Sequence, residues 1–257
     1  MENSLRPQQG GGLFLVATPI GNLEDITLRA LRVLREADVI YAEDTRRTRI
    51  LLDKYEISKH LESYHIFNEH GRTPELLDRV LRGENVVLVS DAGMPCIADP
   101  GFLLVRSAVE AGISPVIIPG VSALTFSIAA SGLPSDSFTF CGFLPVKSGR
   151  RSSVLKRIAA EGRTAVIFES PFRIGKLLGE ILHIMGAETT VAVVREATKI
   201  HEEILRGSVT DVLERTSGRV WKGEIVLVVH PSENVPEQEA SDSGSIVPDS
   251  LETEEKE

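Results

Sequence analysis

Aromatic residues make up only 5% of this 257-residue chain although 42% of it is hydrophobic, so any core it forms is built mainly from aliphatic side chains. That composition suits the Val-, Ile- and Leu-rich strands of a parallel sheet buried on both faces. Cysteine is almost missing. Cys96 and Cys141 are too few for a disulfide scaffold, and neither they nor the six histidines fall at metal-ligand spacings, so no metal is expected. No apolar run is long enough to cross a membrane, and the opening MENSLRPQQGGG has no hydrophobic segment of the kind that directs export. A cytoplasmic protein with no membrane partner is therefore expected. The sequence also lacks GxGxxG in its first strand-to-helix turn, a GxxxxGK[ST] phosphate loop and a GxSxG elbow, which argues against dinucleotide, P-loop and serine-hydrolase chemistry.

The formal net charge of −9 suggests a chain that avoids polyanions, but its distribution says otherwise. Nine acidic residues and one lysine lie between Ser232 and Glu257, which leaves residues 1–231 at about −1. Rich in Ser and Pro, the segment 232–257 has too little apolar surface to order itself and is expected to be a disordered acidic tail. Residues 1–12 are expected to form a flexible N-terminus. From 13 to 120, apolar runs (13–17, 39–42, 61–66, 86–90 and 116–118) alternate with helical segments (27–37, 45–55, 74–81 with Pro74 at its first position, and 102–111). This pattern predicts an N-terminal α/β domain with a mostly parallel sheet. From 121 to 231, strands at 137–143, 164–168, 191–195, 204–208 and 224–230 are interrupted by fewer helices (172–185 and 210–216). Such spacing predicts a C-terminal α/β domain with a mixed sheet.

Three strand ends share one form. LFLVA runs into Thr18, Pro19, Ile20, Gly21 and Asn22; VVLV into SDAGMPCIADPG; VII into Pro119, Gly120, Val121, Ser122 and Ala123. Ligands of open α/β sheets sit beyond the carboxyl ends of the strands, and turns of Gly, Pro and small residues bring backbone close to them. One such turn ends a strand and nothing more; three in half a chain predict a small-molecule cleft, with the third at the hinge between the two domains.

TPIGNLEDITLRAL, AEDTRRT, SDAGMPCIADPG, PGVSA and FESPFR, in this order, resemble the motifs of the tetrapyrrole-methylase superfamily over roughly residues 13–231. The match is strongest to the branch that methylates the ribose 2′-oxygen of a cytidine in the decoding region of 16S rRNA. The resemblance implies S-adenosylmethionine as methyl donor, held between two α/β domains, 16S rRNA or the small ribosomal subunit as partner, and a homodimer. By motif position it also implies that Pro19, Gly21, Asn22, Ser90, Asp91, Ala92, Gly93, Ser122, Ala123, Phe168 and Gly223 line the cofactor cleft. Two other activities stay open: methylation of a tetrapyrrole precursor, and a non-catalytic, SAM-binding role in ribosome assembly.

Transfer of a methyl group to an alcohol needs an acceptor for the hydroxyl proton. Glu43 and Asp44 in AEDTRRT are the leading candidates, followed by Glu169 in FESPFR. Each has a competing structural role, pairing with a nearby arginine or capping the next helix. Asp91 has two readings as well, a bond to a cofactor hydroxyl or amine and a cap on its own turn. RNA binding requires local positive charge. Lys147, Arg150, Arg151, Lys156 and Arg157 fall in a stretch (137–160) with no acidic residue, and Arg46, Arg47 and Arg49 extend the candidate surface. That acid-free stretch favours an RNA acceptor over a tetrapyrrole.

Overall fold

A computed structural model describes residues 11–232. All but the first residue of the expected acidic tail and most of the expected flexible N-terminus lie outside them.

The first sheet holds β1 (Leu13–Val16), β2 (Val39–Ala42), β3 (Leu61–Ser63), β4 (Val86–Val89) and β5 (Val116–Ile118), in the order β3-β2-β4-β1-β5 and parallel throughout. β1, β2 and β4 are buried at every residue. Because successive side chains point to opposite faces, Phe14, Val16, Ile40, Ala42, Val87 and Val89 form one core with α1 (Leu28–Glu36) and α2 (Thr45–Lys54). Leu13, Leu15, Val39, Tyr41, Val86 and Leu88 form another with α3 (Glu69–Leu81) and α4 (Phe102–Glu110).

The second sheet is mixed, as its spacing predicts. β6 (Phe138–Phe143) runs parallel to β7 (Thr164–Glu169); β7, β10 (Ile225–His230), β8 (Thr190–Arg195) and β9 (Glu203–Ser208) are then antiparallel in turn. α6 (Ser148–Glu161), α7 (Ile174–Met185) and α8 (Val209–Arg215) cover one face. α5 (Ala123–Ser131) covers the other, where Ile128 packs with Val166, Ala192, Val194, Val226 and Val228.

Four local features differ from the sequence expectations. α6 fills the polar stretch between β6 and β7, where the expected helices leave a gap. α3 begins at Glu69, so Pro74 lies inside it rather than at its first position. The preceding EHGRT has no apolar period, and side-chain bonds support it: Thr73 Oγ1 donates to the Glu69 carbonyl one turn back at 2.7 Å and lies 3.0 Å from the Tyr64 hydroxyl. β3 stops at Ser63 because the His65 N–H is taken by the Asn68 side chain at 2.8 Å instead of a neighbouring strand. α5 has no amphipathic period to reveal it, yet it is bounded by Ser122 and by Gly132 in the left-handed conformation that ends helices.

Candidate active site

Strand order places the ends of β2, β4, β1 and β5 side by side, and backbone bonds join their turns. Thr18 and Gly93 exchange N–H···O bonds at 2.9 and 3.0 Å, and the Ala17 N–H donates to the Ile118 carbonyl at 3.1 Å. Gly120 packs so closely on Ala17 that a Cβ there would lie 2.8 Å from the Ala17 Cβ. Asp91 reaches beyond its own turn. Its Oδ1 accepts the Asp44 N–H at 2.9 Å and its Oδ2 stands 3.5 Å from Arg47, so it ties the β4 turn to the β2 turn.

These turns face the second sheet across a cavity of about 360 Å³. Ile20, Val194, Ile225 and Val226 give it an apolar wall, and Phe143 and Phe168 stand at another side. The polar side holds Glu43, Asp91, Asp99 and Arg47. Asp99 is pushed up to about 6, first by burial and then by Glu43; a hydrogen bond with Ser90 opposes the rise. Glu43 is also raised, by burial and then by Asp91, with Arg47 working against both. Asp99 sits in a constrained loop: Cys96 (φ 73°) and Ala98 (φ 64°) adopt left-handed backbone without being glycine. Strain of this kind collects at functional sites.

Of the residues expected at the cofactor cleft, Asp91, Ala92, Gly93, Ser122, Ala123, Phe168 and Gly223 line the cavity. Pro19, Gly21, Asn22 and Ser90 do not. The Asn22 N–H donates to Thr198 Oγ1 at 3.0 Å, and Gly21 is pressed against residues 197–199, where a Cβ would lie 2.6 Å from Lys199 Cγ; these two hold the halves together. Ser90 is buried beneath the turn and donates to the Gly93 carbonyl at 3.1 Å. Glu43 and Glu169 reach the cavity, whereas Asp44 caps α2 and pairs with Arg46 at 2.7 Å, which holds its carboxyl well below the usual range. Glu169 Oε1 is engaged by the Ser170 N–H and by Arg173, each at 2.6 Å.

The basic set needs one correction. Arg151 faces inward from α6, 4% exposed, and pairs with both oxygens of Glu180 at 2.6 Å while donating to the carbonyls of Pro145 and Val146. In the sequence it cannot be told from Arg150, its neighbour; the helical turn alone separates them. Lys147, Arg150, Lys156 and Arg157 are exposed, as are Arg46 and Arg47, while Arg49 is half-buried and donates to the Lys59 carbonyl. Asp99, at the far end of SDAGMPCIADPG, also lines the cavity, and nothing in the sequence marks it out.

Residues 12–213 match the family model of the Tetrapyrrole (Corrin/Porphyrin) Methylases. The chain belongs to this family. A Ribosomal RNA small subunit methyltransferase I from Thermotoga maritima is 48% identical over 223 residues, 87% of this chain and all of the relative. Another with the same name from Vibrio cholerae is 43% identical over 245 residues, 94% of this chain and 84% of the relative. Among solved structures, a diphthine synthase has a TM-score of 0.69 at 18% identity, covering 85% of this chain and 89% of the other. A uroporphyrin-III C-methyl transferase from Thermus thermophilus, complexed with S-adenyl homocysteine, has a TM-score of 0.60 at 22% identity, covering 85% and 97%. These likenesses establish the tetrapyrrole-methylase fold, and the methyl donor of the family is S-adenosylmethionine.

The cavity of this tetrapyrrole methylase suits that donor chemically. The apolar wall accommodates an adenine, the acidic side complements a sulfonium cation, and α5 opens on the cavity through Ser122, whose side chain caps no backbone group. Free N–H groups at a helix start are donors for a carboxylate. Among the described residues no helix is long and apolar enough to span a membrane, and no group of three or more His, Cys, Asp or Glu could hold a metal ion.

Proposed function

We propose that this protein transfers the methyl group of S-adenosylmethionine to the ribose 2′-oxygen of a cytidine in the decoding region of small-subunit rRNA. The observation that carries this reading is the cavity in which the three glycine-rich turns meet half-buried carboxylates, in a chain nearly half identical to small-subunit rRNA methyltransferases. In this reading Ala92, Gly93, Ser122, Ala123 and Gly223 hold the donor through backbone and hydroxyl groups, and Phe168 and the aliphatic wall enclose its adenine. Residues 13–120 and 121–231 act as two domains that close on it, since α5 packs against the second sheet directly after residue 120. The protein works in the cytoplasm as a homodimer.

Bound there, the donor supplies an electrophilic methyl group on a cationic sulfur. The chain has to place the 2′-oxygen in line with that methyl, exclude water and accept one proton. Glu43 and Asp99 are the acceptors in this reading: burial raises both, helped by Asp91 at Glu43 and by Glu43 at Asp99, so a carboxylate here takes a proton more readily than one in water. Asp44, held ionised by Arg46, is a weak base and serves the α2 cap. Glu169, clamped by Arg173, shapes the FESPFR turn.

Label from methyl-tritiated S-adenosylmethionine should enter a cytidine ribose of immature small subunits and vanish when the target sugar is 2′-deoxy. Label in a tetrapyrrole precursor alone would reject the reading, and label nowhere would favour an assembly role.

Methyl transfer should rise with pH through about 6 as Asp99 ionises. Asp99→Asn should slow it by about 100-fold and flatten that limb. The same substitution reports on stability. Because the folded Asp99 carboxyl titrates above its unfolded value, the native state holds the extra proton between about pH 4 and 6 and loses stability as pH rises through that window. The wild type should thus fall behind Asp99→Asn in melting temperature from pH 4 to 7. Parallel stability curves and an unchanged rate would remove Asp99 as acceptor.

Exposed Lys147, Arg150, Lys156 and Arg157 supply phosphate contacts. Replacing Arg150 and Lys156 by Glu should weaken rRNA binding and lessen its salt dependence without altering affinity for S-adenosylhomocysteine, measured by salt titration and calorimetry. An unchanged salt slope would remove this face from the interface.

A further inference from the structure

Only nine phenylalanines occur in this chain, and four of them gather at one end of the second sheet. Phe140, Phe143 and Phe168 form an edge-to-face row, with ring centroids 5.0 Å apart between Phe140 and Phe168 and 5.8 Å apart between Phe143 and Phe168. The row does not end in a covered core. Phe143 lines the cavity yet is 60% exposed, and Phe172, beside the cavity-lining Pro171, is 93% exposed. Phe143 closes β6 and Phe172 sits in the β7-to-α7 connection, and Arg173 fastens that connection to the one after β6: its Nε and Nη2 hold Glu169, and its Nη1 donates to the Leu144 carbonyl at 3.4 Å. The Phe172 N–H is held in turn by the Ser170 hydroxyl at 3.2 Å. Both rings are thus presented to solvent from a braced backbone at the mouth of the site.

Exposed Lys147 and Arg150 follow Phe143 in the connection after β6 and the first turn of α6. Single-stranded RNA is recognised through such a pairing, with cations along the phosphates and aromatic faces under unstacked bases. We infer that Phe143 and Phe172 form the stacking platform that receives the base of the acceptor nucleotide, with Lys147 and Arg150 holding the adjoining phosphates. The inference rests on the rRNA reading above and assigns it a base-binding subsite. It explains why two large apolar rings stay uncovered beside a cavity that otherwise buries its apolar wall.

Phe172 offers the cleaner test because it does not itself line the cavity. Phe172→Ala should raise KM for unmethylated small subunits by about tenfold while affinity for S-adenosylhomocysteine, melting temperature and sedimentation mass remain those of the wild type. Phe172→Tyr should restore KM, and Phe172→Leu, apolar but without a π-face, should not. A ribo-oligonucleotide carrying pyrrolocytidine provides a readout independent of methyl transfer: its fluorescence should be quenched by the wild type and the Tyr variant and much less by Leu. Phe143→Leu, assayed with S-adenosylhomocysteine binding alongside, should act in the same direction. Equal KM for Leu and Tyr variants would overturn the platform, as would a change in sedimentation mass, which would assign Phe172 to contact between copies of the chain. Methyl transfer by the wild type to a tetrapyrrole alone would instead sink the rRNA reading and the platform with it.

Discussion

Replacing Arg151 by alanine should destabilise the fold by about 3 kcal/mol and lower the melting temperature by roughly 6–12 °C. The guanidinium is 5% exposed, bonded to both oxygens of Glu180 and to two carbonyls of the β6-to-α6 connection, so its removal strands a carboxylate and two acceptors. Glu180 keeps some contact with water, at 22% exposure, which places the loss at the lower end for a broken buried pair. The pair is costly to break without being a large net source of stability, and so Arg151→Met with Glu180→Leu should recover most of the loss. Arg150→Ala, one residue away on the exposed face, should shift the melting temperature little. If instead Arg151→Ala left thermal unfolding unchanged and weakened only RNA binding, the inward placement would be refuted.

Gly101→Ala should cost about 3 kcal/mol or more and reduce methyl transfer by about 100-fold. Gly101 has φ 129°, closed to residues with a side chain, and an added Cβ would lie 2.8 Å from Cys96 Sγ and 3.0 Å from Leu88 Cδ2. Leu88 belongs to the rigid β4 strand, so the loop must move, and Asp99 moves with it. Adding Cys96→Ala removes the nearer overlap and should return part of the stability, but not the part due to φ. Thermal melts and single-turnover rates on the three variants separate these contributions. Full activity in Gly101→Ala would show that the loop holding Asp99 has no part in the reaction.

Much of the architecture was legible because it follows from short-range pattern. Continuous apolar runs such as VVLV are what a strand buried on both faces requires, and the scarcity of helices after residue 131 marks the antiparallel pairing. α5 and the first turn of α3 escaped because neither carries an apolar period: ALTFSIAAS is apolar all round, and EHGRT is polar, glycine-containing and supported by the side chains of Tyr64 and Thr73.

At the site the division is sharper. The three turns were recognisable as a ligand cleft because small residues, Gly and Pro recur where strands end. Which of them touch the cavity was settled by contacts distant in sequence: Asn22 with Thr198, Gly21 with Lys199, and Asp91 with Asp44. Asp99 became a candidate only when folding set it with Glu43 at one cavity, and Phe143 and Phe172 stood out only by their exposure beside the half-buried Phe140 and Phe168.

VVLVSDAGMPCIADPG and its two companion turns thus determined that the chain builds a parallel α/β layer and a cleft at its strand ends, because local chain stiffness, periodicity and turn chemistry are properties of neighbouring residues. Tertiary structure alone decided which charges face the cleft, which arginine is buried and which rings stay bare, because burial and electrostatic coupling depend on groups brought together from far along the chain.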